Sequence, residues 1–331
     1  MKAAYIRQTG SPDVIHVGDL PEPPLKHDQV LVRVEAVSVN PIDTYIRGGI
    51  VAMPLPDPFI IGCDLAGVVQ RVGPDVTGFV PGMRVWASNQ GLLGRQGTFA
   101  EFAAVDACWL HRLPDGVLAT DAAAVALVAI TAHLGLFRDA KIQSGETILV
   151  VGGTGGVGSM VVQMAKAAGA RVITTAGSDE KVAAAEKLGA DEVIAYHRTP
   201  IGERIAELAP DGVQVFWETR QEPDFDLAVA ALAPRGRMIL MAGRQARPPF
   251  PVGPFYVKEC SLHGMVMFKA SHQEVASAAA DINRWMSQGK LKAMISHQLP
   301  LEQAAEAHRL QEAATLHGSG QVTGKIVLTV P

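Results

Sequence analysis

Thr147-Ile-Leu-Val-Val-Gly-Gly-Thr-Gly-Gly-Val-Gly-Ser-Met160 is the stretch whose reading decides the fold. Thr147 to Val151 are apolar or β-branched and read as a fully buried strand. A glycine cluster follows, and Ser159 to Ala168 continues with helix-forming residues at apolar spacing. Strand, tight glycine turn and helix, in that order, make the phosphate-binding corner of a dinucleotide fold. Gly153, Gly155 and Gly158 fit G-x-G-x-x-G. One glycine serves the turn, one lets a pyrophosphate approach the backbone, and one lets helix and strand pack closely. The helix start offers free N–H groups and a partial positive charge to phosphates. Gly153, Thr154, Gly155, Gly156, Val157 and Gly158 are therefore expected to wrap the pyrophosphate.

Downstream the alternation continues. Arg171–Ala176, Asp191–Tyr196, Val213–Trp217 and Arg237–Ala242 read as strands, with helices over Ser178–Gly189, Gly202–Leu208 and Pro223–Leu232 between them. Repeated βα units of this length predict an α/β fold with a doubly wound parallel sheet. Upstream, residues 1 to about 115 read as short strands (Lys2–Arg7, Val14–Val17, Val30–Val39, Gly62–Val72, Met83–Ser88, Thr98–Ala104, Cys108–Leu113) separated by Pro/Gly turns, with no long helix. That pattern predicts a barrel-like β domain. A helix through Ala122–Phe137 links the two regions. Leu262–Phe268 reads as an edge strand, residues 271–288 and Leu301–Gln311 as helices, and Gly324–Val330 as a closing β segment; Leu316–Thr323 reads as a loose connection. The expected division is a nucleotide-binding domain at 121–264 and a second domain at 1–120 completed by 265–331.

Hydrophobic residues make up 48% of the 331 and charged ones 19%, enough apolar material for a large core. A formal charge of −4 gives no electrostatic case for nucleic acid. Cys63, Cys108 and Cys260 are widely spaced and odd in number, so neither a disulfide framework nor a CxxC knuckle is expected. A reducing, cytoplasmic compartment fits best. The first seven residues lack a signal-peptide core, and the apolar run Ala122–Ile130 is too short to span a bilayer. No membrane partner is expected.

NAD selectivity rests on an acid at the end of the second strand, about 20 residues beyond the glycine turn, which bonds the ribose 2′-hydroxyl. Here that place reads Ala176-Gly-Ser178. A small residue with nearby donors admits a 2′-phosphate instead. Ser178 offers a hydroxyl, Lys181 a cation, and Tyr196 ends the third strand near the same corner. NADPH is the expected coenzyme. Met241 and Gly243, at the end of a parallel strand, stand where ligands bind in such sheets.

The order of domains resembles the medium-chain dehydrogenase/reductase superfamily, and more narrowly its zeta-crystallin-like quinone oxidoreductase branch. Val39-Asn-Pro-Ile-Asp-Thr-Tyr-Ile-Arg47, Gly62-Cys-Asp-Leu-Ala-Gly-Val68, Gly152–Gly158, Ala176-Gly-Ser178 with Lys181, and Thr323-Gly-Lys-Ile-Val327 carry the resemblance across nearly the whole chain. It implies that the β domain is GroES-like. It implies that Asn40, Asp43 and Tyr45 lie beside the nicotinamide. Asn40 would donate to the acceptor oxygen or the coenzyme ribose, Tyr45 would orient the acceptor or deliver a proton, and Asp43 would organise its neighbours. Thr131 matches a threonine near the nicotinamide, and Met267 and Lys325 carry over as coenzyme contacts. Val51 stands where some members carry an aromatic residue.

Zinc alcohol dehydrogenases of the superfamily place a cysteine in the first of these stretches and a histidine–glutamate pair in the second. This chain has Asn40 in the first and Cys63-Asp64 in the second. A catalytic zinc needs three converging ligands, so no metal is expected, and Cys63 reads as a small packed residue. Without a Lewis acid, alkoxide formation is unsupported. A quinone or enone delocalises the charge on its own oxygen. The expected activity is therefore NADPH-dependent reduction of quinones, with α,β-unsaturated carbonyls (enones or alkenals) as the alternative. A non-catalytic NADPH-binding protein, as the lens proteins of this branch, is the reading from another class. Pairing of Leu262–Phe268 with its symmetry mate would give a homodimer.

Overall fold

The computed structural model describes residues 1–316 and 318–331. His317, within the stretch read as a loose connection, lies outside them. Two compact units emerge: Met1–Ile130 with Phe268–Pro331, and Thr131–Met267. The passage at residues 130 and 131 falls inside a continuous helix, Ala119–His133, which sequence spacing places ten or so residues earlier as a boundary.

The second unit is a six-stranded parallel sheet. In spatial order its strands are Glu192–Ala195, Arg171–Ala176, Thr147–Val150, Val213–Glu218, Leu232–Leu240 and Ser261–Gly264. Numbered by sequence this is 3-2-1-4-5-6, with the direction of winding reversing beside Thr147–Val150. Alternation of β-branched strands with helices produces it, since parallel neighbours need a crossover and the helices supply it. Leu149, Ile173, Ile194, Phe216 and Met238 form a continuous buried layer over one face. Each contributes ~1.5–3 kcal/mol by leaving water, which fixes the register that aims the strand ends. After His133 the linking helix loosens into a π-helical stretch, Leu134–Asp139. There Gly135 faces the Trp217 ring so closely that a Cβ would stand 2.2 Å from it. The segment Ala119–Asp139 is long and apolar enough to cross a membrane, but 83% of its apolar window is buried inside the protein, as in a core helix.

The first unit holds a three-stranded sheet (His16–Asp19, Lys2–Ile6, Phe59–Ile60) and a seven-stranded sheet. The latter is built on Gln29–Val39, which pairs antiparallel with Asp64–Val72, Phe102–Asp106 and Lys325–Thr329. One strand can serve three partners because it is eleven residues long and carries register shifts that bend it. Ile295–Pro300 adds a parallel strand beside Lys325–Thr329. Its C-terminal part adds the helices His272–Ser287, with Ser271 and Glu274 as a capping box, and Ala304–Leu316.

Several local expectations change. Leu262–Phe268 is strand only over Ser261–Gly264, since Met265 and Met267 turn inward and are buried. Pro41–Arg47, to which the sequence reading assigned no element, is a short helix with Pro41 in its first turn. Arg237, at the start of the strand read from sequence, donates to both carboxylate oxygens of Glu146 and to the Ala140 carbonyl.

Candidate functional site

At the glycine corner the turn residue is Gly152, with φ of 80°. Sequence reasoning passed over it in favour of the three fingerprint glycines, although the doubled glycine directly after the strand signalled it. Gly152 N–H donates to Thr175 Oγ1, which ties the turn to the neighbouring strand. Gly153 and Gly158 are close-approach positions. A Cβ on Gly153 would stand 2.0 Å from Thr174 Oγ1, and one on Gly158 2.1 Å from the Gly152 carbonyl oxygen. Gly155 differs from both. It caps the helix Gly156–Ala167 in extended conformation, is exposed, and a Cβ there would meet only the Gly152 oxygen, at 3.4 Å. An open glycine ahead of free helix N–H groups is a cradle for a phosphate. Thr154 is buried at 5% exposure, while Gly156 and Val157 are half-buried.

The second and third strands end side by side, Ala176 opposite Ala195. Tyr196 N–H donates to the Ala176 carbonyl. Its ring covers Gly177, where a Cβ would fall 2.3 Å from the phenol oxygen. Ser178 caps the helix Asp179–Lys187 by accepting from Lys181 N–H at 3.3 Å. Lys181 is half-buried, and Tyr196 is 53% exposed. Asp179 does not face this corner alone: Arg198 and His197, both missed from sequence, bond its Oδ1. That pairing offsets the charge of Asp179, while Glu180, which the Ser178 side chain also bonds, stays beside the corner. Met241 and Gly243 lie just past the strand Leu232–Leu240, half-buried. Thr131 and Met267 are buried at the two ends of this unit.

In the first unit a buried polar network gathers residues 285 positions apart. Lys325 Nζ donates to the Asn40 side-chain oxygen and to the Val39 carbonyl at 2.7 Å. Asn40 Nδ2 donates to Asp64 Oδ2 at 2.8 Å and, more weakly, to the Ser38 carbonyl at 3.5 Å. Ser38 and Ser88 hydroxyls donate to the same carboxylate at 2.9 and 2.6 Å. Asp43 Oδ2 accepts the Asn40 backbone N–H at 2.8 Å. Its Oδ1 has no conventional partner, and the Cys63 thiol, a weak donor, lies beside the carboxyl. Asn40, Cys63 and Asp64 are fully buried; Asp43 and Lys325 are nearly so. Lys325 is thus neither a surface charge nor open to a ligand in this conformation, and the Asn40 amide is engaged on both sides. Tyr45, on the helix that starts after Asn40, is half-buried.

Two carboxyls and one ammonium share this interior. Burial disfavours every charge in it. It lowers Lys325, raises Asp64 against the pull of Lys325, and pushes Asp43 up to about 7. A protonated Asp43 leaves one anion for one cation. The folded chain therefore holds a proton on Asp43 that the unfolded chain, with its usual value of 3.8, releases. The resulting stability is full below the unfolded value and is lost as pH rises to about 7. Asp43→Asn, which keeps an acceptor but carries no proton to lose, should flatten the decline in denaturation free energy between pH 5 and pH 7. Equal slopes in the variant and the unmodified chain would reject this.

The donor set does not suit zinc. Asn40 is bound by an ammonium, and burial holds the Cys63 thiol far above the range in which it ionises. Lys325 already brings the cationic charge. Among the described residues, no group of three or more His, Cys, Asp or Glu is placed to hold a metal ion.

Residues 26–115 match the alcohol dehydrogenase GroES-like domain, and residues 156–284 match the family described as zinc-binding dehydrogenase. The chain is 32% identical over 330 residues to a human quinone oxidoreductase, covering 99% of this chain and 97% of that one. It is also 32% identical to a chloroplastic NADPH-dependent alkenal/one oxidoreductase of Arabidopsis thaliana, covering all of this chain and 80% of the relative. Among solved structures, Escherichia coli quinone oxidoreductase complexed with NADPH superposes with a TM-score of 0.86 at 25% identity, over 99% of this chain and 100% of the other.

Proposed function

This chain belongs to the medium-chain dehydrogenase/reductase superfamily, in its quinone oxidoreductase branch, and we propose that it reduces quinones with NADPH and without a metal ion. The observation that carries the metal-free reading is the buried Lys325–Asn40–Asp64 chain, in which an ammonium sits among the groups a metal would need. NADPH, when bound, supplies the hydride. The chain's own residues bind, orient and keep water away. Helix N–H groups behind Gly155 take the pyrophosphate. Ser178, Lys181 and Tyr196 take the 2′-phosphate and adenine ribose. Asn40, with both sides of its amide engaged, acts as a positioning residue that fixes the start of the Pro41–Arg47 helix. Tyr45 on that helix is the residue that orients the acceptor. A quinone spreads incoming charge over its conjugated oxygens, so orientation and exclusion of water suffice where an alcohol would need a Lewis acid.

Similarity to an alkenal/one oxidoreductase favours enones as the second acceptor class. An acceptor panel with NADPH and NADH in parallel tests both, with loss of nicotinamide absorbance as the readout. Quinone-dependent oxidation preferring NADPH is expected. No oxidation with any quinone or enone would leave only the non-catalytic reading. Lys181→Ala should lower kcat/KM for NADPH roughly tenfold, in keeping with loss of one charge-assisted bond, while NADH turnover stays unchanged. An equal loss with both coenzymes would take Lys181 out of the phosphate site.

The assembly is a homodimer formed at the edge strand Ser261–Gly264, where Leu262 is exposed, as are Tyr256 and Val257 in the preceding helix. Light scattering at micromolar concentration decides it. The three unpaired cysteines accord with a cytoplasmic location, which fractionation would test.

A further inference from the structure

Ser178, Lys181 and Tyr196 account for the 2′-phosphate and ribose of the coenzyme, and the helix behind Gly155 for its pyrophosphate, which leaves the adenine base without a partner. Glu218 ends the fourth strand of the parallel sheet, Val213–Glu218, beside the first, Thr147–Val150. Trp217 stands opposite Val150, which brings Thr219 level with the glycine turn. Thr219 Oγ1 donates to the Val151 carbonyl at 2.6 Å, and a Cβ on Gly152 would stand 2.6 Å from that hydroxyl. Arg220 is thus the first residue past the turn on this side, at the strand ends where the winding reverses and ligands bind.

Glu218 holds the Arg220 guanidinium as a fixed plane. Nε donates to Glu218 Oε1 at 3.0 Å and Oε2 at 3.2 Å, and Nη2 donates to Oε2 at 2.7 Å. The Arg220 backbone N–H donates to Oε1 at 2.9 Å. Glu218 is fully buried, whereas the Arg220 side chain keeps 34% of its surface open to a ligand. Burial disfavours the guanidinium charge and the Glu218 carboxylate more than restores it, so Arg220 stays ionised. Guanidinium N–H groups all lie in one plane, so these bonds occupy its edge and leave its faces without any. The Tyr196 phenol, past the end of the third strand, lies within electrostatic reach of the same guanidinium. Tyr196 with Gly177 on one flank of the glycine turn and Arg220 on the other therefore border one space. The second and fourth strands stand two spacings apart, about 9.6 Å. A ring touched on both faces at about 3.5 Å takes up about 7 Å, so one aromatic base fits.

We propose that the adenine base of the coenzyme lies flat on the Arg220 guanidinium, which Glu218 holds in place; this rests on the assignment of the glycine corner to NADPH. Arginine stacks on aromatic planes, and a side chain already fixed loses little freedom on binding. Its charge is matched by Glu218, which makes it a stacking plane and not a phosphate ligand. Arg220 thus serves NADH and NADPH alike, and the choice between them stays with Ser178 and Lys181.

Arg220→Lys keeps a cation for Glu218 and deletes the plane. Fluorescence titration with NADPH and with NADH compares two ligands that differ only in the 2′-phosphate. Arg220→Lys should weaken both about tenfold and by the same factor, the size of one cation–π stack. A loss confined to NADPH would make Arg220 a 2′-phosphate ligand, and affinities within about twofold of the unmodified chain would leave it out of the site; either result overturns the proposal. A second measurement uses the unmodified chain and so does not depend on how the variant folds. With NADP+ bound, nuclear Overhauser contacts should join the adenine C2 and C8 protons to the Arg220 side chain. Contacts from those protons that leave Arg220 out overturn the proposal. An unmodified chain that binds neither coenzyme rejects the reading of the glycine corner itself, and the stacking with it.

Discussion

Gly155→Asp abolishes NADPH binding and leaves the fold at least as stable as before. Gly155 occupies the cap position of the helix Gly156–Ala167 with φ of −76°, a conformation open to any residue. A new Cβ meets nothing closer than 3.4 Å. Aspartate is a better helix cap than glycine by a few tenths of a kcal/mol, so thermal denaturation should shift slightly upward or not at all. Its carboxylate, however, takes the place and the helix N–H groups that a pyrophosphate needs. Like charges brought together in a binding site cost several kcal/mol, so affinity measured by NADPH fluorescence should fall at least ~100-fold. Gly153 and Gly158 make poorer tests. Side chains there would strike the protein itself, and loss of binding could not be told from loss of structure. A Gly155→Asp protein that binds NADPH within threefold of the original would remove the glycine corner from the coenzyme site.

Lys325→Met costs the first unit about 3–5 kcal/mol, the range for a buried ion pair that loses one partner. The ammonium is hydrogen-bonded to the Val39 carbonyl and the Asn40 amide, and it offsets the charge of Asp64. Methionine fills the same length but leaves the Asp64 carboxylate with three neutral donors and no counter-charge. The double variant Asp64→Asn/Lys325→Met removes both charges and should recover more than half of the loss, as matched removal of buried pairs does elsewhere. Guanidinium denaturation at pH 7 measures both. A single variant within about 1 kcal/mol of the original would mean that Lys325 contributes as packing and not as charge.

Much of the fold was legible because its signals are local. A β-branched run ending in glycines, repeated βα spacing and Pro/Gly turns are each decided within a dozen residues, and the parallel sheet follows from their order. The short helix Pro41–Arg47 escaped because Asn-Pro also opens turns, and seven residues carry too little apolar period to separate the two. Gly152 escaped because a fingerprint fixes spacing and says nothing of φ. The polar network could not be read at all. Asn40 was expected to donate to a ligand and Asp43 to organise its neighbours, but the strand Lys325–Thr329 brings in an ammonium from a distant part of the chain, and the Asn40 amide is engaged by it and by Asp64.

The pairing of Gln29–Val39 with Lys325–Thr329 also sets an order of assembly. Residues 131–267 form their unit from one unbroken stretch, and that unit can close while the ribosome is still adding the remainder. The other unit must wait until residues 325–329 have been made before its central strand finds this neighbour and the ammonium reaches Asp64. A nascent chain stalled before residue 325 would hold a finished nucleotide-binding half and an open sheet edge in need of protection.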